Sequence, residues 1–84
     1  MGLGNTAYAL NDLEGAKAAF LLASQDYPES AAAHNNLAFV LADLGQIDEA
    51  LIAANRSVNI GGALLDQSKA TLKNIELKDF HRGI

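Results

Sequence analysis

The sequence contains no cysteine and no tryptophan, and only one of its 84 residues is proline. Without cysteine the chain can form neither a disulfide nor a thiolate metal site. Its uninterrupted apolar runs are only a few residues long, which is too short for a membrane-spanning helix. Basic residues number six and acidic residues ten. This acidic balance argues against nucleic acid as a partner, because nucleic-acid binding requires a basic surface.

The residues that are abundant are typical of helices. Ala and Leu account for 29 positions, whereas Val, Ile and Thr together account for nine. Ala and Leu are strong helix formers, while β-branched residues favour strands. A length of 84 residues is sufficient for one small domain and too short for two. The composition therefore predicts a single all-α domain that spans residues 1–84.

Apolar and helix-breaking residues recur at an interval of 34 positions. The interval brings like residues together: Leu3 with Leu37, Leu10 with Leu44, Leu13 with Ile47, Ala16 with Ala50, Ala19 with Ala53, Asn11 with Gly45, and Pro28 with Gly62. A period of this length is typical of helical-hairpin repeats. The similarity falls on small and apolar positions, where the packing of a hairpin needs it.

Helix-breaking residues divide each 34-residue period into two predicted helices. In the second period Ser30 is placed to cap a helix over about 31–43, Gly45 closes it, and another helix follows over about 48–59. In the first period one helix is predicted to end near Asn11 and another to run over about 14–27, since Pro28 stops it. A fifth helix is predicted from about 63 to 77 or slightly beyond. The predicted core comprises Leu3, Leu10, Leu13, Phe20, Leu37, Leu41, Leu44, Ile47, Leu51, Leu72 and Ile75.

With these spacings the chain resembles the tetratricopeptide repeat family. The residues that carry the resemblance are Leu3-Gly4, Ala16, Phe20, Ala23 and Pro28 in the first period, and Leu37-Ala38, Gly45, Ala50 and Ser57 in the second. The chain departs from the family pattern at Ala7 and Leu41, where an aromatic is expected, at Ala54, which replaces an aromatic, and at Gly62, which replaces proline.

The resemblance implies a right-handed α-α superhelix of five helices. It would contain two hairpins, repeat 1 over about 1–30 and repeat 2 over about 31–62, followed by a covering helix over about 63–80. Met1 falls at about the fifth position of repeat 1, so the first turn of that repeat is missing. We therefore expect the sequence to be a fragment of a longer protein.

A second similarity concerns that longer protein. The runs Asn35-Asn36-Leu37-Ala38, Asp48-Glu49-Ala50-Leu51, Gly61-Gly62 and Ala70-Thr71-Leu72 resemble C-terminal repeat tails of bacterial envelope proteins, among them bacteriocin-processing (double-glycine) cysteine peptidases. This similarity implies a bacterial parent with a role in peptide processing or export, in the cytoplasm or the cell envelope. The catalytic nucleophile would lie upstream, because the segment contains no cysteine.

The family resemblance also implies a peptide-binding groove lined by the first helix of each hairpin and by the covering helix. Carried over by position, the predicted peptide-binding residues are Asn5, Tyr8, Asn35, Asn36, Phe39, Asp43, Lys69 and Lys73, with Asp66 nearby. Asn side chains can both donate to and accept from a peptide backbone, and aromatic rings supply apolar anchors. The alternative is that Asn35 and Asn36 serve local structure and that Phe39 packs in the core.

Some members of the family clamp a C-terminal carboxylate with Asn and basic side chains. Asn5 and Asn36 match two positions of that clamp, but its basic positions carry Met1, Asp66 and Ala70. An anionic ligand needs cationic donors, so this type of ligand is not expected.

The sequence predicts no enzyme, no cofactor and no metal site in this segment. His34 and His81 are far apart in sequence and have no second ligand at helical spacing. Three functions follow as hypotheses: a non-catalytic module that binds a peptide or partner domain, a self-associating structural element that forms a homodimer, and the tail of an envelope peptidase.

Overall fold

The computed structural model describes the backbone of residues 2–82 and the side chains of residues 12–80. The described chain forms α1 (Gly2–Asp26), α2 (Ala31–Asp43), α3 (Ile47–Ile60), a short 3-10 turn (Gly62–Leu64) and α4 (Leu65–Arg82), and it contains no strand. The all-α class predicted from the sequence is confirmed.

The predicted number of five helices is wrong, because the first two predicted helices are one continuous helix, α1. The sequence predicted a turn near Asn11, at the position that Gly45 occupies in the second period. Gly45 turns the chain with a φ of +82°, and no described residue other than glycine has a positive φ. Asparagine tolerates the left-handed conformation less readily than glycine does. Continuing the helix at Asn11 instead keeps the backbone hydrogen bonds of this segment intact.

The ends of α2 agree with the sequence prediction. The Ser30 hydroxyl accepts a hydrogen bond from the Ala33 backbone N–H at 3.2 Å and caps the helix at its N-terminus. At the other end, the Gly45 N–H donates to the Ala42 carbonyl and the Gln46 N–H donates to the Leu41 carbonyl. This tight turn leads directly into α3, which ends where Gly61 and Gly62 both adopt positive φ.

One hydrogen bond and one ion pair show the relative directions of three helices. Ser57, near the end of α3, donates to the carbonyl of Ala31 at the start of α2. Lys78, near the end of α4, lies 3.9 Å from Asp43 at the end of α2. Among α2, α3 and α4, consecutive helices therefore run in alternating directions, so α2 and α4 point one way and α3 points the other.

The core lies where α2 meets the other three helices. Each of α1, α3 and α4 packs against α2. The buried cluster consists of Leu37, Ala38, Leu41, Ala42, Ile47, Ala50, Ala53, Ala54 and Ile75, with Phe20, Leu51 and Leu72 packed against it. Of the predicted core, Leu13 and Leu44 are half-buried, and Leu3 and Leu10 lie outside the described side chains.

Two serine hydroxyls join three helices inside this packing. Ser57 and Ser68 are both fully buried, and their Oγ atoms lie 2.5 Å apart. Ser57 also donates to the Ala31 carbonyl at 2.8 Å. Because a hydroxyl has only one proton, the Ser68 hydroxyl is the donor between the two serines. The pair thus links α4 to α3, and α3 to the start of α2.

Replacing Leu37 with alanine should lower the free energy of unfolding by about 2–5 kcal/mol, because it opens a cavity in a buried cluster. Denaturant unfolding of both proteins measures the difference. Leu77 lies on α4 and is half exposed, so Leu77→Ala is a matched control that should change stability little. An unchanged unfolding midpoint for Leu37→Ala would contradict the assigned core.

Replacing Ser57 with alanine should cost about 1–3 kcal/mol, because the buried Ser68 hydroxyl loses its acceptor. Ser68→Ala should also destabilise the fold. The double variant should cost less than the sum of the two single variants, since the two hydroxyls act on each other. Thermal or denaturant unfolding of all four proteins gives the coupling, and strictly additive losses would show that the hydroxyls do not interact.

Candidate functional site

Three of the predicted binding residues lie together on the side of α2 that faces α4. Asn35 and Phe39 line a hollow of about 220 Å³, and Phe39 and Asp43 line a second hollow of similar volume. The two hollows share Phe39, Thr71 and Asn74, so they form one continuous feature, which we call the α2–α4 face. Its remaining lining residues are Gln67, Ala70, Ala42, Ile75 and Lys78.

Asn35 places a buried oxygen without a hydrogen-bond partner on the α2–α4 face. Only 7% of the residue is exposed, and its Oδ1 is buried without a hydrogen-bond donor among the described residues. A buried polar atom that lacks a partner costs about 1–3 kcal/mol. Native proteins usually satisfy such atoms, and exceptions commonly have a functional explanation. Because Asn35 lines the hollow, a rotation of its side-chain amide would turn this oxygen toward the hollow, where a ligand could donate a hydrogen bond to it.

An apolar anchor and a loose ion pair complete the face. Phe39 is 49% exposed although it lies in the middle of the most buried helix, so its ring is accessible to a ligand and does not pack in the core. Lys78 Nζ and Asp43 Oδ1 are 3.9 Å apart, and both side chains are about half exposed. An ion pair of this kind contributes little to stability, so each charge can also interact with a ligand.

The other predicted binding residues do not line these hollows. Asn36 is exposed on α2, and Lys69 and Lys73 are exposed on α4. Asn5 and Tyr8 lie in the part of α1 whose side chains are outside the described residues. Their role in peptide binding remains a prediction.

The residues that α4 contributes to the face were not predicted from the sequence. Gln67, Thr71, Asn74 and Lys78 line it at intervals of three and four positions, which is the spacing of one helix stripe. Thr71 is buried and bonds its hydroxyl to the Gln67 carbonyl at 3.0 Å. This polar stripe can be recognised from its spacing, whereas the family resemblance, carried over by position, points to Lys69 and Lys73.

A larger groove lies on the opposite side of α2, between α1 and α3. It has a volume of about 400 Å³, and no Cα atom of α1 lies within 8 Å of one in α3 among the described residues. A smaller hollow shares Ser24, Pro28, His34 and Arg56 with it. We call this feature the α1–α3 groove; its other lining residues are Lys17, Leu21, Gln25, Leu37, Leu41, Glu49, Ile52 and Ala53, with Asn59 and Ile60 in the smaller hollow.

The ionisable side chains form no metal-binding cluster in the described part of the chain. No group of three or more His, Asp or Glu side chains there could hold a metal ion. His34 is 4% exposed, and its Nε2 lies 2.9 Å from the Pro28 carbonyl. This bond ties the turn after α1 to the first turn of α2, which is a structural role. His81 lies outside the described side chains.

No family model, curated protein or solved structure matches the chain. Among the described residues, no helix combines the length and the apolar character that crossing a membrane requires. Function is therefore inferred from the geometry of the chain itself.

Replacing Asn35 with alanine should change the free energy of unfolding by less than about 1 kcal/mol, or stabilise the fold, because it removes a buried oxygen that has no partner. Ser57→Ala, which removes a buried and bonded hydroxyl, is the matched control and should cost more. Unfolding in denaturant compares the two. A loss for Asn35→Ala as large as that for Ser57→Ala would mean that the Asn35 side chain is already bonded in the folded protein.

Proposed function

We propose that the chain is a non-catalytic interaction module that binds a peptide segment of another protein on the α2–α4 face. The observation that carries the proposal is the buried, unpaired Oδ1 of Asn35 next to the exposed ring of Phe39. Binding, with rotation of the Asn35 amide toward the ligand, would give this oxygen a donor and would cover the apolar surface of Phe39 that the free domain leaves in water.

The chemistry of the face suits an extended peptide backbone. Asn35 offers an acceptor for a backbone N–H, and Gln67 and Asn74 carry amide groups that can donate and accept. Phe39 supplies the apolar anchor on which a ligand side chain can pack, as aromatic residues do in many interfaces. Asp43 and Lys78 lie at one end, where charges on the peptide can fix its direction.

The same proposal includes a tetratricopeptide-like organisation of the second period. The antiparallel pair of α2 and α3, followed by α4, supports one repeat hairpin with a covering helix. Because α1 is continuous, the hairpin expected for the first repeat is absent, and the proposal depends on residues 31–80. A short array of this type presents the first helix of its hairpin and the covering helix to a ligand.

Peptide binding can be tested with a displayed library of random peptides selected on the intact 84-residue chain. We expect the selected peptides to bind the wild type and to lose at least tenfold in affinity for Phe39→Ala, because the variant lacks the apolar anchor. Asn35→Ala should also weaken binding while leaving the fold intact. Fluorescence anisotropy of a labelled selected peptide measures these affinities.

Tyr27→Ala is the matched control for the aromatic substitution. Tyr27 is 69% exposed in the turn between α1 and α2 and lines neither hollow of the α2–α4 face. The contribution of Asn36 is tested by replacing both Asn36 and Phe39 with alanine. If Asn36 contributes as the sequence predicts, this double variant should bind the peptide more weakly than Phe39→Ala alone. Undiminished binding by Phe39→Ala and Asn35→Ala with an intact fold would place the peptide site elsewhere.

A further inference from the structure

The α1–α3 groove concentrates the positive charge of an acidic part of the chain. Residues 1–62 contain seven acidic and only two basic residues. Those two bases, Lys17 and Arg56, both line the groove, and neither forms an ion pair with a described residue. Glu49 is the single acid among the described residues of the lining. Leu21 and Ile52 contribute to the apolar surface there although they are 42% and 57% exposed.

The outer surface of α1 carries the complementary pattern. Glu14, Ala18, Leu22 and Asp26 follow one another at four-residue intervals and are all exposed, so they form one strip along the helix. Leu22 is 58% exposed. An apolar centre is thus flanked by an acid at each end, and neither acid is paired with a described residue. We call these four residues the outer strip of α1.

We propose that two copies of this chain associate by placing the outer strip of α1 from each copy into the α1–α3 groove of the other. Leu22 and Ala18 would cover the apolar groove, and Glu14 and Asp26 would face the cations Lys17 and Arg56. The exchange is reciprocal, since every copy has one strip and one groove. It therefore produces a closed twofold dimer, the commonest symmetry of soluble oligomers.

The outer strip is long enough to cover the wall that α1 contributes to the groove. The strip extends over about 18 Å, because it spans twelve residue steps of helix, and the groove-lining part of α1 from Lys17 to Gln25 extends over about 12 Å. The separation of α1 from α3 exceeds 8 Å between Cα atoms throughout the described residues. An exposed groove between two separated helices, with a third helix as its floor, has room for the side chains of another helix.

The dimer is independent of the proposed peptide site. α2 separates the α1–α3 groove from the α2–α4 face: Leu37 and Leu41 line the groove, whereas Asn35 and Phe39 line the face. Substitutions that weaken the dimer should leave peptide binding unchanged, and substitutions on the face should leave the dimer unchanged. Failure of one proposal can therefore be distinguished from failure of the other.

Sedimentation equilibrium of the intact 84-residue chain over a range of concentrations tests the proposal. We expect a reversible monomer–dimer equilibrium for the wild type and a dissociation constant at least tenfold larger for Leu22→Glu, which buries a charge in the apolar centre. Leu77→Glu makes the same change at a position on α4 that is 50% exposed, and it should dimerise like the wild type. Circular dichroism checks that both variants remain helical.

Exchange of charges between two copies gives a second test. One variant carries Lys17→Glu and Arg56→Glu, and the other carries Glu14→Lys and Asp26→Lys. Each should associate at least tenfold more weakly than the wild type, because like charges then meet at both ends of the groove. Mixed in equal amounts, the two variants should form a heterodimer with an affinity close to that of the wild type, since every groove again meets a strip of opposite charge.

Three results would overturn the proposal. The first is a wild type that remains monomeric at every concentration. The second is a Leu22→Glu variant that dimerises as strongly as the wild type. If Leu77→Glu alone weakened the dimer, the copies would associate through α4 instead. The third is a mixture of the charge variants that associates no better than either variant alone.

Discussion

The close approach of α2 and α3 is the constraint on which the rest of the structure depends. Ala38 on α2 and Ala50 and Ala54 on α3 have no exposed surface, and only side chains this small allow two helix backbones to pack so tightly. Since α2 also contacts α1 and α4, its position determines both surfaces of the molecule. A larger side chain at Ala38 would separate α2 from its neighbours and change the groove and the α2–α4 face together.

The buried polar groups differ in how they are satisfied, and two of them, the side-chain oxygens of Asn35 and Gln46, have no partner among the described residues. Ser57 and Ser68 bond to each other and to the Ala31 carbonyl, so their burial costs little and holds three helices together. The Asn35 oxygen is equally buried but has no donor in the described chain. A domain of this size has little stability to spare, so an unpaired atom in it requires an explanation. Ligand binding provides one, because the ligand supplies the missing donor.

The sequence predicts the second period far better than the first. Ser30 and Gly45 define the ends of α2 by local chemistry, a side-chain cap and a left-handed turn, which requires no knowledge of distant contacts. Asn11 lacks such a determinant, because asparagine is compatible with either a turn or a continuing helix. The 34-residue period suggested a turn there, but similarity at packing positions does not supply the glycine that closes the corresponding turn at Gly45.

The candidate site, like the fold, could be predicted from the sequence only in part. Asn35, Phe39 and Asp43 were predictable because the period and the resemblance locate them on one side of α2. The contribution of α4 was not, because the rotation of that helix about its own axis is determined by the burial of Ser68, Thr71 and Ile75 against α2 and α3. Two of these three residues are polar, so the sequence gives no clear apolar stripe that fixes this rotation, and the positions carried over from the resemblance were Lys69 and Lys73 instead of Thr71 and Asn74.

The unequal packing of the helices gives the proposed dimer a physical advantage. α2, α3 and α4 each contact at least two other helices, whereas α1 contacts only α2 within the described chain. An element with one neighbour opens locally at a lower free-energy cost than one held on several sides. A second copy seated in the α1–α3 groove would give α1 two further neighbours, and binding to the folded state alone stabilises that state. Association would therefore protect α1 most against local unfolding. It would protect α2 and α3 much less, because these two helices already pack against each other.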